Sequence, residues 1–372
     1  MNRANAQQQL RTLGVNRPRL IPLPDQLFPI SETQITLLIR QLSTLLSSRL
    51  TLARALEGII RGLPESRLRE VAGDMLLELQ QGTPFSEIVA GRPQYFDPFL
   101  THLIQSGEHA SQLPTLLARG AEYRERSRTL KHQAWKALSY PLGVFLFTIT
   151  ISLFLLLQVV PQFEILFHNM GADLPLLTKR ILDSAHFMQD NLTAASIALS
   201  ILILSPLLLY RLLPHFQFGV DRLLLSLPVV GTTLREIMVA RLGRTLATLQ
   251  EAAIPIHTGL DTSARMTGNL VLREAIIKIH QNIVQGVTLS QALGKQQLFP
   301  PIAVQMVRAG EESGQLADML GRLAEYYEDE VEQRIQQLTT LLEPLLILLI
   351  GGMVGVLAVA LYQPIFQLGH HL

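Results

Sequence analysis

Along most of the chain apolar residues recur every three or four positions, and in three places polar residues all but vanish. Ile35, Leu38, Leu42, Leu45 and Leu46 make one stripe, and Leu68, Val71, Met75 and Leu79 make another. The rhythm returns in Leu242, Leu246 and Leu249, then in Leu272, Ile276, Ile279 and Ile283, with Ile277 widening the last face. This is the period of amphipathic helices, and no segment between turns shows the strict alternation of a strand. Glycine and proline punctuate the stripes at Gly62-Leu63-Pro64, Gly82-Thr83-Pro84, Gly91-Arg92-Pro93, Gly286 and Gly294. The pattern predicts helices that include 32–49, 65–81 and 112–136, with 236–252, 270–285 and 315–342 as counterparts.

The three uncharged windows are each long enough to cross a bilayer, which takes about 20 apolar residues. Their cores are Leu142 to Val160, Asn191 to Tyr210 (carrying Pro206) and Pro344 to Tyr362. One charge at mid-bilayer costs about 2.5–3.5 kcal/mol on insertion scales, so the lack of any in all three windows is informative. A hydrophobic fraction of 48% points the same way. The last window contains Gly351-Gly352-Met353-Val354-Gly355, a small-residue spacing that lets membrane helices approach closely, within one chain or between copies.

The chain also repeats itself. At an offset of 203, Phe96, Pro98, Gly107, Glu108, Leu113, Ala121, Glu122 and Tyr123 fall on Phe299, Pro301, Gly310, Glu311, Leu316, Ala324, Glu325 and Tyr326. The register continues through the apolar windows, where Pro141 falls on Pro344, Pro161 on Pro364 and Phe163 on Phe366. Upstream the offset is 204, pairing Gly82 with Gly286 and Ser86 with Ser290. A repeat this long is a duplicated domain that carries its own span, and the middle window returns the chain between the copies.

Charge orients the arrangement. Residues 1–136 carry 17 basic and 12 acidic residues, 164–190 carry two and four, and 211–343 carry 12 and 14. Arg124, Arg126, Arg128, Lys131 and Lys136 precede the first span, Arg211 follows the second, and no Lys or Arg follows Tyr362. The excess of basic residues places the N-terminus and both repeats in the cytoplasm and the C-terminus outside it. The fold class that results is an all-α polytopic membrane protein. It divides into an N-terminal arm (1–31), a first cytoplasmic helical-bundle domain (32–136), a span (137–163) and a periplasmic loop (164–190). A second span (191–210), a second helical-bundle domain (211–342), a third span (343–363) and a periplasmic tail (364–372) follow. The first thirty residues lack the apolar core of a signal peptide.

Chemistry is sparse. There are no cysteines, so thiolate metal sites, disulfides and cysteine nucleophiles are excluded. The ten histidines show no metal-ligand spacing, and no phosphate-binding loop or nucleophile elbow occurs. No catalytic, cofactor or metal site is expected, and a net charge of +1 gives no argument for nucleic acid.

The corner Gly310-Glu311-Glu312-Ser313-Gly314 has a structural reading in which Gly310 closes a helix and Ser313 caps the next. On that reading Glu311 and Glu312 favour the positive end of the following helix. The alternative is a partner- or cation-binding corner; the first copy reads Gly107-Glu108-His109-Ala110-Ser111, so any role needing both acids belongs to the second domain. The acidic run Glu328, Asp329, Glu330 and Glu332 reads as a solvated face or as a docking surface for a basic partner. Glu343 before Pro344 reads as a charge at a helix start.

Four segments resemble the type II secretion F-protein / PilC-type inner-membrane platform family, and together they sample nearly the whole chain. They are VVPQFEILFHNMGADLPLLT (159–178), DRLLLSLPVVGTTLREIMVARLGRTLATLQEAAIPI (221–256), FPPIAVQMVRAGEESGQL (299–316) and LEPLLILLIGGMVGVLAVALYQPIF (342–366). The chain departs from the family where an Ala-Gly pair is usual, with Ser48-Arg49 and Ala252-Ala253, and Ser111 stands where glycine is usual. The resemblance implies a non-enzymatic platform without cofactors, at the base of a type IV pilus machine or of its type II secretion (pseudopilus) equivalent. It implies homo-oligomerisation, as a dimer, and contacts with a hexameric cytoplasmic ATPase, pilin or pseudopilin subunits, other inner-membrane assembly proteins and lipid. Gly107, Glu108, Gly310, Glu311, Glu312, Gly314, Pro161, Phe163, Leu174, Pro175, Glu343, Pro344 and Pro364 are the motif residues and candidate partner contacts it singles out. The rival classes, a small transporter and a membrane-anchored signalling scaffold, lack an ionisable residue in any span or a substrate pocket signature to support them.

Overall fold

The computed structural model describes residues 30–159 and 191–368, with isolated positions 162, 179, 180 and 183 between them. Among these residues every regular element is helical and no strand occurs. The first repeat runs α1 (Glu32–Ser47), α2 (Leu52–Gly62), α3 (Arg67–Gln80), α4 (Phe85–Ala90), α5 (Pro98–His109) and α6 (Leu113–Phe154). After it come α7 (Leu192–Leu212) and α8 (Pro214–Ser226). The second repeat runs α9 (Val230–Glu251), α10 (Ile256–Met266), α11 (Leu270–Val284), α12 (Leu289–Gly294), α13 (Pro301–Ser313) and α14 (Leu316–Leu368).

Local chemistry starts these helices where the sequence permits. Ser31 opens α1 with a reciprocal cap, its hydroxyl accepting from the Gln34 amide while the Gln34 side chain accepts from the Ser31 amide. Thr51, Ser66, Asp97 and Asn269 cap α2, α3, α5 and α11 in the simpler way.

The duplication extends to how helices end. Positive φ occurs in the described chain at Arg49, Gly82 and Ser111, and at their repeat counterparts Ala253, Gly286 and Gly314. At Arg49 and Ala253 the amide reaches back three residues, to Leu46 and Gln250, and the next amide reaches back five, to Leu45 and Leu249. Gly82, Gly286 and Ser111 close their helices with the same pair of bonds, a left-handed termination that satisfies the last carbonyls. Arg49, Ser111 and Ala253 hold φ of 64°, 54° and 56° where a Cβ is penalised. Replacing each with glycine is expected to stabilise the fold by about 0.5–1 kcal/mol, the relief of left-handed strain less the extra chain entropy of glycine. Thermal melting of the triple variant in detergent checks this, and an unchanged or lower midpoint would contradict it.

Two compact units emerge. The described residues up to Arg128 pack with Met238–Tyr326 as one, so both repeats share a body. The core of the first repeat (Ile35, Leu56, Met75, Phe85, Phe99 and Leu103 among its members) also takes in Leu249, Ala252 and Ile254 from the second. Polar contacts bridge the copies, among them Ser106 donating to the Ala252 carbonyl at 2.8 Å, a hydrogen bond shared by Tyr123 and Thr245 at 3.0 Å, and ion pairs of Arg119 with Glu251 at 3.2 Å and Arg126 with Glu325 at 4.0 Å. Tyr123 also stacks on Phe99 at 4.2 Å between ring centroids. Its counterpart Tyr326 is exposed, and the adjacent Tyr327 is buried instead. The copies therefore meet face to different face, and the sequence match at Tyr123 and Tyr326 does not carry over to burial.

The second unit contains Thr129–Ile237 and Tyr327–Leu372, within the described residues. Here Gln133 of α6 donates to Glu332 of α14 at 3.2 Å, and Arg334 of α14 to Glu236 of α9 at 2.6 Å. Glu236 is buried, and burial raises its carboxyl above the usual range although Arg334 pulls it back.

Two helices run further than the sequence pattern predicts. α6 and α14 pass unbroken from the repeats into apolar stretches, carrying Pro141 and Pro344 in their interiors. The expectation that Glu343 faces the start of a membrane helix is corrected: residue 343 lies inside α14, far from any set of unpaired helix-start amides. Among the described residues, Leu316–Val356 is the stretch long and apolar enough to cross a bilayer alone, and none of its apolar window is buried, unlike the core helix of a soluble protein. The apolar part of α6, Ser139–Phe154, is shorter because α6 gives way to a π turn at Leu155–Val159. The apolar end of α7 reaches span length only together with α8, across a 109° bend.

Candidate functional site

The residues repeated most strictly, Gly107-Glu108 and Gly310-Glu311, build the same joint in both copies. α4 and α12 have six residues each, too short to hold a helical turn on propensity alone. Their N-terminal amides are held from a distant helix. Glu108, near the end of α5, accepts from the amides of Phe85 and Ser86 at 2.7 and 3.0 Å. Glu311, near the end of α13, accepts from Leu289 and Ser290 at 2.5 and 3.1 Å. A carboxylate bridging two free amides at a helix start is a charge-assisted cap placed where the helix dipole is positive.

The glycines do the complementary work. A Cβ on Gly107 would lie 2.9 Å from the Leu113 Cα, and one on Gly310 would lie 2.9 Å from the Met319 Cβ and 3.1 Å from the Leu316 Cα. Each glycine thus lets the following long helix cross against the helix that carries the glutamate. The chain turns at Ser111 and Gly314, both left-handed. One corner therefore ties three helices: a clamped short helix, the glutamate-bearing helix and the long helix that follows.

This arrangement corrects three sequence expectations. The left-handed residue is Gly314, not Gly310, whose helical backbone is needed for close approach. Ser313 bonds back to the Ala309 carbonyl at 2.7 Å within its own helix and does not cap α14. Glu311 holds the start of α12, not of α14, because the chain folds α12 against the end of α13. Glu312 is exposed, and Gly314 has open space around its Cβ position. Pro364 lies within α14, while Pro161, Phe163, Leu174 and Pro175 lie outside the described residues.

A further joint falls where the two copies differ. Asp97 caps α5 at the Leu100 amide and also meets Arg124 at 3.1 Å, whereas the counterparts of this pair are Pro300 and the buried Tyr327. Both partners change together, so the ion pair is not repeated at these positions of the second copy. The signal was present in the aligned copies, as a paired substitution of Asp97 and Arg124.

Among the described residues no group of three or more histidines and carboxylates is placed to hold a metal ion. His102 is half-buried on α5, and desolvation lowers its pKa, with Asp261 and Arg265 of α10 acting in opposite directions. Burial raises the Tyr123 phenol, offset by its Thr245 hydrogen bond. A shallow apolar groove of about 180 Å³ lies between α1 and the α2–α3 connection, lined by Leu37, Leu38, Ile59 and Leu63 among others.

A duplicated helical unit with one clamped corner per copy, each followed by a long helix running into apolar sequence, is a specific arrangement. The family described as type II secretion system (T2SS), protein F, matches it twice, at residues 38–161 and 243–364, in step with the repeat. The chain belongs to this family. Type IV pilus assembly protein PilC of Pseudomonas aeruginosa is 34% identical over 365 residues, covering 97% of this chain and 98% of its own length. TapC of Aeromonas hydrophila, also a type IV pilus assembly protein, is 36% identical over 340 residues, 91% of this chain and 82% of its own. Type II secretion system protein F of Vibrio cholerae is 30% identical over 342 residues, 92% of this chain and 84% of its own. In this member of the protein F family both corners keep their glycine and glutamate, while the second glycine survives only in the second copy.

Proposed function

We propose that the protein is a non-enzymatic inner-membrane platform of a type IV pilus assembly machine, coupling a cytoplasmic ATPase to insertion or extraction of pilin subunits. The observation that carries this reading is the end-to-end match to a type IV pilus assembly protein, with 97% of this chain and 98% of the relative aligned. The architecture supports it. α14 has 53 residues without a break, about 80 Å at 1.5 Å per residue, enough to reach from a cytoplasmic repeat through a bilayer. In this reading the spans are 137–163, 191–210 and 343–363, the helical domains 32–136 and 211–342 are cytoplasmic, and the loop 164–190 and the tail are periplasmic. The platform is a dimer, and it meets the ATPase with its repeats and pilins and partner proteins with its spans. With Glu108 and Glu311 committed to their clamps, exposed Glu312 and Asp329 are among the candidate contacts that remain.

The second reading, the equivalent platform of type II secretion, is favoured by the 30% identity to the Vibrio cholerae protein. An in-frame deletion separates the two. Loss of surface pili by electron microscopy with normal secreted proteins is expected; loss of secretion with intact pili would assign the chain to secretion. Topology is checked on the same chain, which has no native cysteine. Thiol labels at Gly171→Cys and Ser313→Cys are expected from opposite sides of the membrane, and labelling from one side would overturn the three-span arrangement. ATP hydrolysis by the purified chain alone would contradict the non-enzymatic role.

A further inference from the structure

The helix that follows the second apolar window is not built like its neighbours. α8 leaves α7 at 109° across the single residue Leu213. If α7 runs near the bilayer normal, as the reading above has it, α8 lies about 20° from the membrane plane, the attitude of an interfacial helix. The bend is fixed from inside: Tyr210, at the end of α7, donates to the Asp221 carboxylate at 2.9 Å, and Asp221 is only 2% exposed.

At 3.6 residues per turn α8 divides into three sectors. Asp221 and Leu225 face the protein and are buried. His215, Arg222 and Ser226 form an exposed polar sector. Phe216, Val220 and Leu223 recur at spacings of four and three along a third sector, continued by Leu227 at the C-cap, and Leu223 is 64% exposed. Leu204, Leu207, Leu208 and Leu212 of α7 and Leu213 at the bend are exposed as well, so apolar side chains are open on both sides of the bend. A helix of 13 residues is too short to cross, and its Arg222 sits beside the apolar sector as a headgroup-level residue would.

We propose that α8 is an in-plane helix whose Leu223 sector is buried in the cytoplasmic leaflet at the boundary between headgroups and acyl chains, with His215, Arg222 and Ser226 turned to water. The second repeat begins four residues after α8 ends. The inference rests on α7 being a span, and the experiment separates the two ideas.

The full chain, naturally free of cysteine, is labelled with an environment-sensitive fluorophore at Leu223→Cys, Leu227→Cys, Ser226→Cys or Ile201→Cys and reconstituted in phosphatidylethanolamine/phosphatidylglycerol vesicles. Quenching is read with doxyl lipids labelled near the headgroup or near the chain end, and with aqueous iodide. Leu223→Cys and Leu227→Cys are expected to be quenched several-fold more by the shallow doxyl than by the deep one and little by iodide. Ser226→Cys is expected to be open to iodide, and Ile201→Cys to be reached best by the deep doxyl. With Ile201→Cys deep, iodide access at Leu223 and Leu227 equal to that at Ser226 would overturn the in-plane helix and leave the span standing. Deep quenching at Leu223 would make α8 half of a broken span, and shielding from both quenchers would mean that protein covers it; either result overturns the proposal. An Ile201→Cys label reached by neither doxyl lipid would sink the span and the proposal with it.

Discussion

Glu311→Ala is expected to lower stability by about 2–4 kcal/mol, because two amides at the start of α12 lose a charged acceptor and the Thr288 hydroxyl beside them already accepts from Gln291. Glu108→Ala should behave alike at α4, where the carboxylate holds Phe85 and Ser86. In a unit of this size the melting midpoint should fall by about 5–10 °C. The internal control is Glu312→Ala: its side chain is exposed, so the change should stay within about 0.5 kcal/mol. Glu311→Gln keeps one acceptor oxygen and should recover part of the loss. Melting in detergent and piliation in cells are read together. A Glu311→Ala protein that melts normally yet abolishes pili would overturn the clamp and restore the glutamate as a partner contact.

The second large effect is expected at the glycines beside those clamps. Gly107→Val would drive a branched side chain into the Leu113 backbone, whose Cα already stands 2.9 Å from the Cβ position. Backbone cannot move aside as a side-chain tip can, so the cost is about 3 kcal/mol. Gly310→Val should cost about as much, since the Met319 Cβ at 2.9 Å and the Leu316 Cα at 3.1 Å are both held by backbone. Gly58→Ala runs the other way. Nothing lies within 4 Å of its Cβ position in α2, and alanine should stabilise by about 0.5–1 kcal/mol through helix propensity. Urea or thermal unfolding of the three variants checks the ordering. If Gly107→Val and Gly58→Ala moved the midpoint in the same direction, close approach would not be what the corner glycine provides.

Much of the architecture was legible because periodicity and duplication are properties of the string. The three- and four-residue stripes located the helices, and their ends were off by a few residues at α1, α3 and α11. The larger misses were α6 and α14. Pro344 read as a helix start, but a proline forfeits one hydrogen bond and can be carried inside a long helix whose other residues are well suited to it, as Pro141 is in α6. The corner was found in sequence as a repeated motif and assigned the wrong mechanics. Local rules connect Glu311 to the next helix along the chain, whereas its partners, Leu289 and Ser290, lie about twenty residues earlier.

By itself, then, the sequence determined an all-helical chain, its duplication, its family and the places where charge is excluded. These depend on residue order alone, through helical period, hydropathy and matching of the copies. The tertiary structure alone decided which amides each glutamate holds, why Gly107 and Gly310 need to be bare, and that Tyr123 is buried while Tyr326 is not. It also turned α8 across the end of α7, through a hydrogen bond from Tyr210 to an aspartate eleven residues on. The physical reason is common to all of these. They are contacts between side chains and backbone groups that meet only after helices pack, and packing selects among partners to which the local sequence is indifferent.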